Sequence, residues 1–115
     1  MAYTYLFFEP KRLPLSPDEL GLDTVVPLTD LDAVKAALAT VMPALEWLPE
    51  GWARGETPEG QWLEFSVAAG GTLGMRCSLR ADYRAHVQRL CDALGWVAVD
   101  ERPFCFQPHR EPVGV

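Results

Sequence analysis

Three cysteines and two histidines are the side chains of this sequence best suited to metal binding or nucleophilic catalysis. Cys77, Cys91 and Cys105 recur every fourteen residues, and His86 and His109 lie nearby. A structural zinc site normally includes ligands only a few residues apart, and only Cys105 and His109 meet that condition. On one helix, His86 and Cys91 would point roughly 140° apart, so they cannot form a thiolate and base pair by themselves. The sequence therefore predicts no metal, no cofactor and no catalytic residues, and hence no enzyme.

A second candidate group combines carboxylates with two tryptophans around a predicted hairpin. Carboxylates attract a basic protein, and exposed tryptophans are common anchors at protein interfaces. The alternative interpretation is an ordinary solvated acidic turn. The predicted partner-binding residues are Glu46, Glu50, Trp52, Glu56, Glu59, Trp62 and Glu64.

A third candidate group combines tyrosines with arginines. Tyr3 and Tyr5 lie near the start of the chain, and Arg76 and Arg80 lie on the polar side of a later predicted strand. Arginine forks suit a carboxylate or phosphate, so these four residues are the alternative, ligand-binding site. This site requires that the four side chains share one face of the sheet.

The elements that must position these groups begin with a strand at residues 2–8, whose apolar side chains point to both faces. Residues 10–28 contain four prolines and predict an irregular connection, with a one-turn helix starting at Ser16. Residues 29–42 carry apolar side chains at helical spacing, which predicts a helix capped by Thr29.

Three strands of a meander are predicted at residues 51–55, 61–68 and 72–80, because apolar and polar side chains alternate along the last two. Gly70 and Gly71 favour a tight turn between them. The pattern before the first of these strands fits either a helical turn or a strand.

A second amphipathic helix is predicted to open at Asp82 and to end at Gly95, which suits a left-handed cap. Residues 96–100 and 104–106 predict two further short strands. The tail at residues 108–115 is predicted to be loose.

This order of elements predicts an α+β fold, with residues 1–115 as a single domain. We expect a two-layer sandwich, in which a mostly meandering antiparallel sheet carries two helices on one face. The arrangement resembles a split βαβ (ferredoxin-like) variant with an extra hairpin strand. The other sheet face would be open unless the proline-rich connection covers it. Whether Tyr3, Tyr5 and Phe7 lie on that face depends on register, since a shift of one residue exchanges the faces.

Charge and cysteine content limit the partners and the compartment. A net charge of −6 repels phosphate backbones, so nucleic-acid binding is not expected. Residues 1–66 hold eleven acidic and four basic residues, whereas residues 67–115 hold five and six. The sequence lacks both a basic-then-apolar leader and an apolar run of about 18 residues, so no secretion and no membrane contact are expected. An odd number of cysteines without a close pair favours the cytoplasm, with the thiols as small buried hydrophobes.

The first functional hypothesis is therefore a small acidic protein-binding module that acts on a basic protein partner. It would be an inhibitor of the immunity or antitoxin type or an escort protein, an analogy that rests on size and charge. The second hypothesis is a domain that binds a small carboxylate or phosphate on the open sheet face. The third is self-association, for example as a homodimer, through the aromatic face or an edge strand near Phe104.

Overall fold

A nine-stranded sheet and two helices make up the part of the chain that the computed structural model describes, residues 2–13, 15, 19, 21, 23–67, 72–102 and 104–114. The fold is α+β and consists mostly of strand, and every pair of neighbouring strands is antiparallel. The strands are β1 (Ala2–Pro10), β2 (Val25–Pro27), β3 (Glu46–Leu48), β4 (Trp52–Glu56), β5 (Trp62–Val67), β6 (Leu73–Ser78), β7 (Val97–Asp100), β8 (Phe104–Phe106) and β9 (Val113–Gly114). The helices are α1 (Leu31–Val41) and α2 (Arg84–Leu94).

The sheet has the order β3-β4-β5-β6-β1-β7-β8-β9, and β2 pairs with the end of β1. Strands β3 to β6 follow one another along the chain as a meander. Strands β6 and β7 both run antiparallel to β1, so they are parallel to each other, and α2 connects them. The first strand of the chain is thus enclosed near the middle of the sheet.

The register of β1 decides which face of the sheet each of its side chains occupies. Phe7 lies opposite Leu73 of β6 and Ala98 of β7, and all three belong to one buried cluster. Tyr5 is in the same cluster and only 4% exposed. The possibility that Tyr5 and Phe7 are displayed on an open face is therefore wrong. Their side chains point into the protein, towards the helices.

Both helices pack against this inner face of the sheet. Val34 and Leu38 of α1 and Val87 and Leu90 of α2 are buried in the cluster that contains Phe7. Burying each such side chain contributes about 1.5–3 kcal/mol, so this shared contact is the main source of stability. Neither helix is long and apolar enough to cross a membrane, and the described part of the chain has no other candidate span.

The helix ends agree in part with the sequence prediction. The side chain of Asp30, rather than that of Thr29, caps α1 by accepting a hydrogen bond from the amide of Ala33. Asp82 lies two residues before α2 and accepts a hydrogen bond from the amide of Arg84. The predicted left-handed cap at Gly95 is confirmed by its φ of 70°.

The proline-rich segment is more ordered than its composition predicts. Val25–Pro27 form β2, and Leu15 is buried with Val25, Val97 and Phe8. The side-chain amide of Gln107 accepts a hydrogen bond from the backbone amide of Leu15 at 2.8 Å and donates one to its carbonyl. This segment therefore covers the face of β1 and β7 opposite the helices, but only around Phe8 and Val97.

Other local expectations have mixed outcomes. Glu46–Leu48, which fitted either a helical turn or a strand, are the strand β3. The tail is not loose throughout, since Val113 pairs with Cys105 of β8. Leu79 is exposed because β6 ends one residue earlier. The predicted helix start at residues 16–18 and the turn at residues 70–71 lie outside the described residues.

His86 lies in the contact between the helices and is 3% exposed. Its Nε2 is 3.3 Å from the Sδ of Met42, and its Nδ1 is 3.2 Å from the guanidinium of Arg89. Because a guanidinium can only donate hydrogen bonds, Nδ1 is the acceptor and the ring proton is assigned to Nε2. Burial, followed by the charge of Arg89, lowers the pKa of His86 to about 4, although Glu59 opposes this shift.

The stability of the protein should therefore fall on mild acidification. In the unfolded chain the pKa of His86 is 6.5, so the unfolded state binds more protons than the folded state below that pH. The contribution of neutral His86 is complete above pH 6.5 and is lost as the pH falls towards 4, by up to about 3 kcal/mol. Urea unfolding between pH 4 and 7.5 should show a shallower pH dependence for His86→Gln than for the wild type. Equal pH dependence in the two proteins would contradict a buried neutral histidine.

Candidate functional site

The face of the sheet opposite the helices is open across β3 to β6 and the first part of β1, and we call it the outer face. No described helix packs against it. Alternation along each strand and the register between strands decide which side chains it carries. Those that bear on function are Leu6, Glu46, Trp52, Arg54, Glu56, Trp62, Glu64, Ser66, Gly74 and Arg76.

One line of paired positions across the outer face is apolar at both ends and small in the middle. Trp52 lies opposite Ser66, Ser66 opposite Gly74, and Gly74 opposite Leu6. Trp52 and Leu6 are 37% and 42% exposed. The two residues between them are small, and the side chain of Leu6 lies against Gly74, which is buried. We call these four residues the apolar row.

The adjacent line of positions is charged and alternates in sign. Glu46 lies opposite Arg54, Arg54 opposite Glu64, and Glu64 opposite Arg76. The Nε of Arg54 is 3.4 Å from the Oε2 of Glu46, with both side chains largely exposed, so this ion pair contributes less than about 1 kcal/mol. These four residues, the charged row, have no net charge.

Two further carboxylates make the surface acidic. Glu56 lies opposite Trp62 on the outer face, and Glu50 lies in the single turn of 3-10 helix directly before β4. Both side chains are exposed, and neither forms an ion pair with any described residue. Since the charged row is balanced, these two carboxylates give the surface a net charge of −2.

A groove of about 860 Å³ continues the outer face beyond the short strand β3. Met42, Leu45 and Leu63 contribute its apolar part, and Trp62, which is 42% exposed, belongs both to the groove and to the outer face. His86 also lines the groove and is neutral at pH 7, because its pKa is lowered mainly by burial. A chain seated on the outer face could therefore place an apolar side chain against the apolar part of the groove, whose rim also carries charged side chains such as Arg54, Glu56 and Arg89.

The register brings five of the seven predicted partner-binding residues onto one face. They are Glu46, Trp52, Glu56, Trp62 and Glu64. Glu50 stands at the edge of that face. Glu59 does not belong to it, because its carboxylate lies 3.4 Å from the guanidinium of Arg89 in α2 and ties the β4–β5 hairpin to the helix layer.

The predicted ligand-binding group does not form as a unit. Arg76 lies opposite Thr4 and therefore projects from the outer face, whereas Tyr5 lies on the inner face. Tyr3, Tyr5 and Arg80 do meet, at a separate cavity of about 360 Å³ on the helix side of the sheet. The sequence prediction grouped Arg76 with these residues. Which side chains of β1 share a face with Arg76 depends on the long-range register, and no local pattern shows this register.

The cysteines are poor candidates for chemistry. All three are free and buried. Burial raises the pKa of Cys77 to about 12 and also raises the pKa of Cys91 and Cys105, so thiolates are scarce at neutral pH. Within the described ranges, no three His, Cys, Asp or Glu side chains are grouped so that they could hold a metal ion.

Sequence reasoning missed the residues that shape the outer face between its anchors. Ser66 and Gly74 have no reactive group, but they are the small middle positions of the apolar row. Leu6 was missed because β1 is apolar on both faces. The alternation of side chains along β5 indicates which face of the sheet Ser66 occupies. No local pattern indicates that Leu6 lies two strands away from Ser66 on the same face.

Comparison of the chain with protein-family models, with curated proteins and with solved structures finds no match.

Proposed function

We propose that this protein is a small acidic protein-binding module that docks a basic partner protein on its outer face. The observation that carries the proposal is the pair Trp52 and Trp62, both partly exposed on a sheet face against which no described helix packs. Tryptophans embedded among neighbouring contacts are the residues most often found to dominate binding energy at protein interfaces. Large exposed apolar side chains of this kind lower the solubility of a protein unless a binding partner covers them.

The charge distribution supports a basic partner. The carboxylates of Glu50 and Glu56 are free to attract cations, and the acidic half of the sequence supplies strands β3 to β5 of the face. The charged row adds specificity, since its alternating signs would repel a surface that presents the same signs in the same order. The chain as a whole, at −6, would favour encounter with a basic protein.

The dimensions of the face also support docking of a protein. From β3 to β1 it spans four interstrand spacings, roughly 19 Å, and the groove beyond β3 extends it. A specific interface uses about 800 Å² of each partner, so a docked partner would cover the groove as well as the outer face.

The mode of action that we propose is inhibition or escort of the partner. Support comes from the small size and the acidic surface, which suit a protein that covers a basic site on another. Three free buried cysteines support a reducing compartment, so we place the interaction in the cytoplasm.

We further propose that the centre of the fold is a variant of the split βαβ (ferredoxin-like) arrangement. Its support is the strand order β5-β6-β1-β7, with α1 following β1 and α2 joining β6 to β7. In this interpretation β3 and β4 are the extra hairpin that enlarges the outer face, and β8 and β9 extend the other edge.

Replacing both anchors should abolish the interaction without unfolding the protein. In affinity purification from the native host at low salt, with quantitative mass spectrometry, Trp52→Ala/Trp62→Ala should lose a stoichiometric basic protein that the wild type retains. Loss of one such anchor typically costs about 2 kcal/mol or more, which is roughly thirty-fold in affinity. Phe104→Ala is the matched control, because Phe104 is a comparably exposed ring on β8, away from the outer face. Equal recovery of the basic protein with the double variant and with the control would contradict the proposal. A homodimer without any other partner, measured by light scattering, would contradict it as well.

A second experiment tests the contribution of charge and uses the partner recovered in the first. Glu56→Lys should weaken its binding about ten-fold at low salt and flatten the salt dependence, because a free carboxylate facing the partner is reversed. Glu111→Lys makes the same change at an exposed position outside the outer face and should leave affinity nearly unchanged. Titration calorimetry at two salt concentrations measures both effects. Identical affinities for the two variants would contradict electrostatic docking at this face.

A further inference from the structure

A second cavity, separate from the outer face, lies between the end of β6, the start of α2 and the turn that joins β7 to β8. Its volume is about 360 Å³. It is lined on the sheet side by Tyr3 and Tyr5 and on the loop side by residues 78–84. Neither Trp52 nor any residue of the charged row lines it, so its role is independent of the docking surface.

Arginines are concentrated at this cavity. Arg80, Arg84 and Arg102, three of the eight in the chain, line it. Arg84 is held by Asp82 through two hydrogen bonds of 3.0 and 2.8 Å. Arg80 forms no ion pair with a described residue, and the Arg102 guanidinium lies 5.7 Å from the ring centroid of Tyr3. Two guanidinium groups are therefore available to a ligand.

Two tyrosines, Tyr3 and Tyr5, line the same cavity. The hydroxyl of Tyr3 is buried without a hydrogen-bond partner in the described ranges, which is unfavourable, so an acceptor in the cavity would stabilise it. The Tyr5 side chain is 4% exposed and lies beside it. Burial, followed by the nearby carboxylate of Asp100, raises the pKa of Tyr3, and burial raises the pKa of Tyr5, so both remain donors at neutral pH.

The start of α2 also borders the cavity, but a carboxylate already lies at its positive end. The Oδ1 of Asp82 accepts a hydrogen bond of 3.0 Å from the amide of Arg84, the first residue of the helix. The hydroxyl of Tyr83, the N-cap, donates to the carbonyl of Trp62 at 2.7 Å. The positive charge at the cavity therefore comes from its arginines and not from the helix dipole.

The balance of charge limits the ligand to a single negative charge. Asp82 and Asp100 also line the cavity, so its three arginines leave an excess of one positive charge. A phosphate dianion would meet the two carboxylates as well as the arginines. Leu79 and Phe104, both partly exposed, add apolar surface at the cavity.

We propose that this cavity binds a small monocarboxylate with a compact apolar body. Arg80 and Arg102 donate to the carboxylate, the hydroxyls of Tyr3 and Tyr5 complete its hydrogen bonds, and Phe104 contacts the apolar body. Asp82 acts as a positioning residue, because it fixes the guanidinium of Arg84 at the rim.

The test is an NMR titration of the full chain labelled with nitrogen-15, with benzoate as the probe. Benzoate should bind with a Kd of about 1 mM or tighter and shift the amides of residues 77–84 and 100–104. Benzamide, which has the same shape without the charge, should bind at least ten-fold more weakly. Phenyl phosphate should also bind more weakly than benzoate.

Variants connect the binding to the named groups. Arg80→Gln and Arg102→Gln should each weaken benzoate binding at least ten-fold, and both residues are exposed, so folding should be retained. Arg110→Gln is the matched control, because it removes the same charge from an exposed side chain that lines neither the cavity nor the outer face. Tyr3→Phe should weaken binding several-fold while leaving thermal stability equal or higher, since it removes an unpaired hydroxyl. A merely structural Tyr3 would lower stability instead.

Several outcomes would overturn the proposal. They are no saturable benzoate binding up to about 20 mM, equal affinity for benzamide, shifts centred outside the cavity, or the same loss with Arg110→Gln as with Arg102→Gln. Tighter binding of phenyl phosphate would overturn the assignment to a monocarboxylate. None of these outcomes bears on the partner experiment, because the variants that test docking lie elsewhere.

Discussion

The register of β1 between β6 and β7 is the constraint on which the rest of the structure depends. It places Phe7 opposite Leu73 and Ala98, so that Tyr5 and Phe7 fill the layer under both helices. A shift of one residue would turn Leu6 inward and expose Phe7. Trp96, which packs edge-on against Phe7 with ring centroids 5.9 Å apart, would lose its main contact. The register therefore separates a packed inner face from an outer face available to partners.

The sheet is wider than two helices can cover, and both candidate sites follow from that mismatch. On the outer face, the meander from β3 to β6 extends the surface and presents Trp52 and Trp62. The proline-rich segment seals only the part around Phe8 and Val97. On the inner face, α2 begins beyond the end of β6, which leaves a cavity beside Tyr5. The two sites are separate, because neither Trp52 nor Trp62 nor any residue of the charged row lines the cavity.

Features specified within one element could be predicted from the sequence, whereas features that depend on distant pairing could not. The left-handed cap at Gly95 and the alternation of apolar and polar side chains along residues 62–67 are local features. The alternation also places Trp62 on the polar face of β5. The face of Tyr5 was not predictable, because β1 is apolar on both sides and its partners lie about seventy residues away. Because the same register decides the face of Arg76 relative to β1, the sequence also grouped Arg76 with the wrong residues. The cavity could not be foreseen either, since Arg102 reaches it only through the order of the strands.

The central claim is that the outer face is open while the helices cover the core of the inner face, and the four tryptophans report on it directly. Fluorine NMR of protein labelled with 5-fluorotryptophan, assigned by single Trp→Phe variants, would measure relaxation caused by a neutral gadolinium chelate. The account predicts strong relaxation for Trp52 and Trp62, weak relaxation for Trp96, and an intermediate value for Trp47, which packs against Lys35. Protection of Trp52 and Trp62 equal to that of Trp96 would contradict it, because the outer face would then be covered.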